Sequence, residues 1–281
     1  MPPLAIKRKD SLVKAVRRNA TALLDAAIEA LTGRSPSEAE LAYRDLLRLQ
    51  SLLHLVRQPL GREVFNREHR IVARSLSALS PPRVTAAETL RHIAAAKPVI
   101  SADGILEKIA DEADPAPIQR HKTKTGPDPE RLRLVADLAE VRMRARYWHL
   151  PDGGFELLAP GLRRSYQQAA RSATAETPLD ENAAALRRLA DHCQAFEKAW
   201  PELFLATRKA LLVAEKRVGQ QVELATARPF ITDHPELLAR TDKHIATHRE
   251  AVTKLQTQLF AESPAAFAKR IGVIWEAWRK S

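Results

Sequence analysis

Asp10–Gly33, DSLVKAVRRNATALLDAAIEALTG, decides the fold class. Its apolar positions Leu12, Val16, Leu23, Ala27 and Leu31 recur at helical spacing and fall on one stripe. Asp10 or Ser11 offers the side-chain oxygen that satisfies the first free N–H groups of a helix, and Gly33 with Pro36 stops the run. The stretch predicts a long amphipathic helix with one face committed to a core.

The same pattern repeats on either side of each break. Ser37 begins a second segment through Leu41, Leu46, Leu49, Leu53 and Val56 to Pro59 and Gly61. Further helical segments run from Glu63 to Ser80, Val84 to Ala96 and Ser101 to Asp111. Asp114 to Pro129 is rich in proline and polar residues, carries Arg120, His121, Lys122 and Lys124, and reads as an exposed linker. Beyond it, segments run from Glu130 to Trp148, Pro160 to Thr174, Asp180 to Trp200, Glu202 to Ala227, His234 to Phe260 and Pro264 to Trp278. The expectation is an all-α protein of two related antiparallel four-helix-type bundles: residues 1–114, a linker at 115–129, and residues 130–281.

Composition supports helix: 45% of the 281 residues are hydrophobic, only nine are glycine, and few β-branched or aromatic runs exist to build strands. The single cysteine, Cys193, excludes an internal disulfide framework and a cysteine-rich zinc site. Lys7, Arg8 and Lys9 are followed by no apolar signal region, and no run long enough to span a bilayer occurs, so the reading is a cytoplasmic protein. Forty-five Lys and Arg against 34 Asp and Glu give a net charge of +11, which favours polyanionic partners such as polyphosphate or nucleic acid. Charge spread over helix faces for solubility is the plainer alternative.

Catalytic signatures are missing from the sequence. There is no phosphate-cradling glycine loop, Ser/His/Asp signature or paired-carboxylate motif, and the reading is a binding protein that uses no cofactor. His244 and His248 stand at i, i+4 without a third ligand and read as surface residues. His192 and Cys193 are neighbours about 100° apart on a helix, so they read as core rather than a nucleophile pair. Trp200, Trp275 and Trp278 read as core anchors.

Several separated pieces carry a resemblance. Lys7 to Arg18 starts with a Ser-hydrophobic pattern and ends in the paired Arg17 and Arg18. It is followed by Leu49–Gly61 (LQSLLHLVRQPLG), Phe65-Asn-Arg-Glu-His-Arg70 and Leu79-Ser-Pro-Pro-Arg83. Later come Gly161-Leu-Arg-Arg-Ser-Tyr166, Ala199-Trp-Pro201, Leu259-Phe-Ala-Glu-Ser-Pro264, Phe267-Ala-Lys-Arg270 and Trp275. In order and spacing they resemble the bacterial CHAD domain, the conserved histidine α-helical domain. The resemblance implies a basic groove between two helical bundles, non-enzymatic binding of inorganic polyphosphate, and association with polyphosphate granules and their proteins.

The family's cationic stripe runs along one helix face at i, i+3 and i+7, offering repeated donors to a phosphate chain. Here the two stripes read Glu40, Tyr43, Arg44, Leu47, Arg48 and Asp180, Ala183, Ala184, Arg187, Arg188. Acids replace the signature histidines in both halves. The family's Gly-x-x-His-Asp-Leu stands as Gly219-Gln-Gln-Val222-Glu223-Leu224, and Val84 follows Arg83 where the family has Asp. The resemblance therefore implies weakened binding, carried by Arg17, Arg18, Arg44, Arg48, Arg70, Arg83, Arg163, Arg164, Arg187, Arg188, Lys269 and Arg270, with Tyr166 as a neutral donor. Arginine suits this task because its planar fork donates two parallel bonds to phosphate. The rival expectation is a scaffold that kept the fold, lost the ligand and contacts a protein or nucleic acid.

Overall fold

Ser11 caps the first helix through its side-chain oxygen, which accepts from the Lys14 N–H at 3.2 Å. In this computed structural model, residues 4–33, 36–79, 128–172 and 177–281 are described, and among them every regular element is helical. The helices are α1 (Leu12–Thr32), α2 (Pro36–Leu55), α3 (Arg57–Leu60), α4 (Arg62–Leu79) and α5 (Pro129–Ala145), then α6 (Ala159–Arg171), α7 (Leu179–Phe196), α8 (Pro201–Ala227), α9 (Pro235–Leu259) and α10 (Pro264–Lys280). Short 3-10 turns stand at Phe155–Leu157 and Arg228–Ile231. The helices expected at 84–96 and 101–111, Arg83, and all of the expected linker but Asp128 and Pro129 lie outside the described residues. No described helix is long and apolar enough to cross a membrane.

Proline opens many of these helices, because its missing N–H costs nothing in the first turn. Pro129 follows the capping Asp128, whose carboxylate accepts from the Glu130 N–H at 3.0 Å, and Pro264 follows the capping Ser263. Pro201 and Pro235 open α8 and α9 in the same way. Gly61, at φ 82°, adopts the left-handed conformation that ends α3.

The stripe of α1 is buried throughout: Leu12, Val16, Leu23, Ala27 and Leu31 all lie in the core. On α2, Leu46, Leu49 and Leu53 are buried, but Leu41 is 40% exposed and stands outside the packed face. Each fully buried Leu contributes roughly 1.5–3 kcal/mol of transfer free energy. Helix α1 packs on α2, α2 on α4, α4 on α5, and α5 back on α1, closing a four-helix ring. Helix α5, which follows the expected linker, thus packs on two helices that precede it.

In the remainder, α6 packs on α7 and α10, α7 on α8, and α8 on α9. The ring joins this group where α2 meets α6 and α7. Gly161 makes the first of those contacts possible: a Cβ there would lie 2.0 Å from the Leu55 carbonyl oxygen, so α6 rests directly on the last turn of α2. One apolar core runs through both groups, from Leu4 to Trp275.

Arginines hold part of this architecture. Arg131 donates to the Leu31 and Ala30 carbonyls, satisfying acceptors that the end of α1 leaves open. Arg144 of α5 forks onto the buried carboxylate of Glu68 in α4, Nε to Oε1 and Nη2 to Oε2, both at 2.9 Å. Trp275 is buried and Trp278 packs on it, but Trp200 is 46% exposed, which corrects its reading as a core anchor.

Candidate anion site

Of the residues expected to bind phosphate, all but Arg70 and Arg83, which lies outside the described residues, fall into three places, and most of their charge is used inside the protein. On α1, Arg17 donates from Nε (3.0 Å) and Nη2 (2.7 Å) to the Trp148 carbonyl. Arg18 pairs with Asp10 and donates to the Ala5 carbonyl at 2.8 Å. The hydrogen bond from Arg18 holds the Asp10 carboxyl below its usual range. Both arginines line a hollow of about 520 Å³ with Lys14, Arg146 and Asp25. That hollow is basic, yet Arg17 and Arg18 reach it as structural clamps.

The two stripes behave similarly. Glu40 forms an i, i+4 ion pair with Arg44 on the surface of α2. Arg48 lies 3.9 Å from the buried Asp45 carboxylate. On α7, Arg187 bridges to Glu215 of α8 at 2.8 Å, and Arg188 donates to the Gln168 carbonyl oxygen at 2.8 Å. Between the stripes the two helices meet: the Ser51 hydroxyl donates to Asp191 Oδ2 at 2.8 Å, and His192 Nε2 donates to the Ser51 carbonyl at 2.8 Å. His192 and Cys193 are fully buried, as their reading as core requires.

Beside this junction, Arg57, Arg188, His54 and His69 gather. The His54 ring lies edge-on to His69 at 5.1 Å, and Arg57 sits 4.8 Å over the Phe65 ring. Burial first, then the neighbouring cations, pushes His54 down to about 2, so it adds no charge at neutral pH. Burial also lowers His69 and Arg188. Sequence reasoning passed over His54 and His69, whose only signal was their spacing on the apolar flanks of α2 and α4.

The third place is an open groove of about 690 Å³ between α6 and α10. Arg163 and Arg164 from α6 and Lys269 from α10 line it, with Gln167 beside them. All three cations are exposed, and among the described residues none makes a hydrogen bond or ion pair. The helices run antiparallel: Tyr166, late in α6, stacks on Phe267 at the start of α10 at 4.3 Å, while Phe155, before α6, meets Gly272 and Trp275 farther along α10. The cations therefore share one end. Glu156 and Glu276 stand at the other, over a floor that includes Ala159, Ala268 and Phe155.

Tyr166 differs from its expected role. Its ring is buried, and its hydroxyl donates to the carbonyls of Glu262 (3.0 Å) and Leu259 (3.2 Å), so it anchors the turn before α10 and leaves no donor for a ligand. Burial pushes the phenol up to about 12. Arg270 is tied to Glu262 and lies 5.5 Å from the Phe267 ring centroid. Arg70 is exposed on α4, away from the groove.

Glu156, Glu276 and Gln167 were missed in the sequence. Ala265, Ala268, Gly272 and Glu276 follow i, i+3, i+7 and i+11 spacing, a face thinned by small side chains and ended by an acid, which is the signal that marks a groove. Among the described residues no group of three or more His, Cys, Asp or Glu side chains is arranged to hold a metal ion, and His244 and His248 gain no third ligand. Compared with known proteins, the chain matches no family model, no curated protein and no solved structure.

Proposed function

We propose that this chain is a divergent CHAD-type domain that binds inorganic polyphosphate, or another phosphate-rich polyanion, without catalysis and with reduced strength. In this reading its two helical halves are relatives, and its place is on polyphosphate granules in the cytoplasm. The observation that carries the proposal is the convergence of Arg163, Arg164 and Lys269, from helices about a hundred residues apart, on one groove, with no acid among the described residues paired to them. Phosphate favours such a place, because each charge-assisted bond forms without first breaking an internal pair. The reduction in strength follows from the other arginines, which Asp10, Glu40, Glu215, Glu262 and backbone carbonyls already occupy.

The test is calorimetric titration of the full chain with long-chain polyphosphate and with duplex DNA at matched salt. Polyphosphate binding weakens steeply as salt rises, and the triple variant Arg163→Ala, Arg164→Ala, Lys269→Ala reduces the log–log salt slope by about 2 to 3, near 0.7 to 0.9 per cation removed. Unchanged affinity and slope in the folded variant remove the groove from the function.

A second reading, a scaffold for a protein partner, is favoured by the surface of α5. Leu132 and Met143 are 54% and 55% exposed. Eleven residues apart, they lie within about 20° of each other around the helix. Failure of both polyanions to bind would favour that reading.

A further inference from the structure

We propose that the groove between α6 and α10 is built for a bipolar ligand, a phosphate-bearing molecule that also carries an amine. The phosphate end rests on the anion-binding reading above; the amine end rests on separate residues. A phosphate chain lying along the whole groove would meet Glu156 and Glu276 at its far end and be repelled there. The Gly154 N–H donates to Glu156 Oε1 at 2.7 Å, which fixes this carboxylate and holds it ionised.

Glu276 reaches the same spot from α10. The Cβ position over Gly154 is 3.0 Å from Glu156 Oε2 and 3.7 Å from Glu276 Oε1, so the two carboxylates converge over a glycine that leaves room between them. Two converging carboxylates beside an apolar floor suit an ammonium group. The floor is kept low by Gly272, where a Cβ would come 2.9 Å from the Phe155 ring. Lys269 and Glu276 stand seven positions apart on α10, which sets their backbone positions about 10 Å apart along the helix axis. A six-carbon spacer between phosphate and amine matches that span. An extended polyphosphate, by contrast, engages the groove only by its end.

The experiment titrates the full chain at one low salt concentration with 6-aminohexyl phosphate, hexyl phosphate and tripolyphosphate. The amine is expected to tighten binding by about fivefold over hexyl phosphate, the upper range for an exposed ion pair. The double variant Glu156→Gln, Glu276→Gln, with its helicity checked by circular dichroism, erases that preference. If hexyl phosphate and tripolyphosphate bind but the amine adds nothing, the bipolar site is overturned and the anion reading stands. If 6-aminohexyl phosphate alone binds, the bipolar site stands and the polyphosphate reading falls. If none binds, both fall.

Discussion

Replacing Arg144 with Met should cost this protein about 3 kcal/mol of stability, at the lower end of what breaking a buried ion pair costs. The magnitude follows from Glu68, whose side chain is fully buried in α4 and accepts a two-bond fork from Arg144 of α5. Without Arg144, Oε2 loses its partner, while Oε1 keeps Arg67 at 2.9 Å. Arg67 is 52% exposed and so offsets only part of the loss, which is why the lower end of the range applies. Removing both charges, with Arg144→Met and Glu68→Leu together, should restore stability to within about 1 kcal/mol of wild type, because an apolar pair has no desolvation cost to recover. The assay is urea unfolding followed by helical circular dichroism, where a shift in midpoint at constant slope reports stability. A single-variant loss below about 1 kcal/mol, or a double variant no better than the single, would refute the claim that this pair closes the ring between α4 and α5.

Gly161→Ala should destabilise by about 1–3 kcal/mol or more, because overpacking here presses on the Leu55 backbone and not on a side chain that can turn away; thermal melting of the variant measures it. Stability should also fall on acidification. His54 and His192 are held down to about 2 and about 4, so their contribution is complete above the unfolded value of 6.5 and is lost as pH drops below it. Between pH 7.5 and 5, His54 should lose about 2 kcal/mol. Asp191 and Asp45, raised by burial, act in the opposite sense, losing stability as pH rises. The measurement is therefore the difference between wild type and His54→Gln, which should narrow by about 1.4 kcal/mol per pH unit below 6.5; a pH-independent difference would contradict the neutral buried His54.

The helices were legible in the sequence because their signals are local. The stripe from Leu12 to Leu31, the stop at Gly33 and the start at Pro264 each depend on neighbours within a turn or two, and the folded chain keeps them. What an arginine does was not legible. Arg17 and Arg163 look alike in sequence, yet one clamps a carbonyl 131 residues away and the other faces a groove. That choice is made by packing between distant helices, which no local spacing records. The Glu40–Arg44 pair had a local signal, since i, i+4 alone brings those charges together, yet Arg44 was expected to bind phosphate. Tyr166 failed for the opposite reason: its partners, Leu259 and Glu262, reach it only through the antiparallel docking of α10.

Cys193 gives the molecule a chemical clock. It is the chain's single thiol, it has no exposed surface, and burial pushes it up to about 12, so at neutral pH the folded protein offers neither access nor a thiolate. Helix α7, which carries it, is held by α2, α6 and α8 at once. A disulfide reagent can therefore modify this protein only when α7 has parted from its neighbours. Because no second cysteine adds background, the labelling rate reports those openings alone, and with reagent in excess fast enough to outpace reclosure it equals the opening rate.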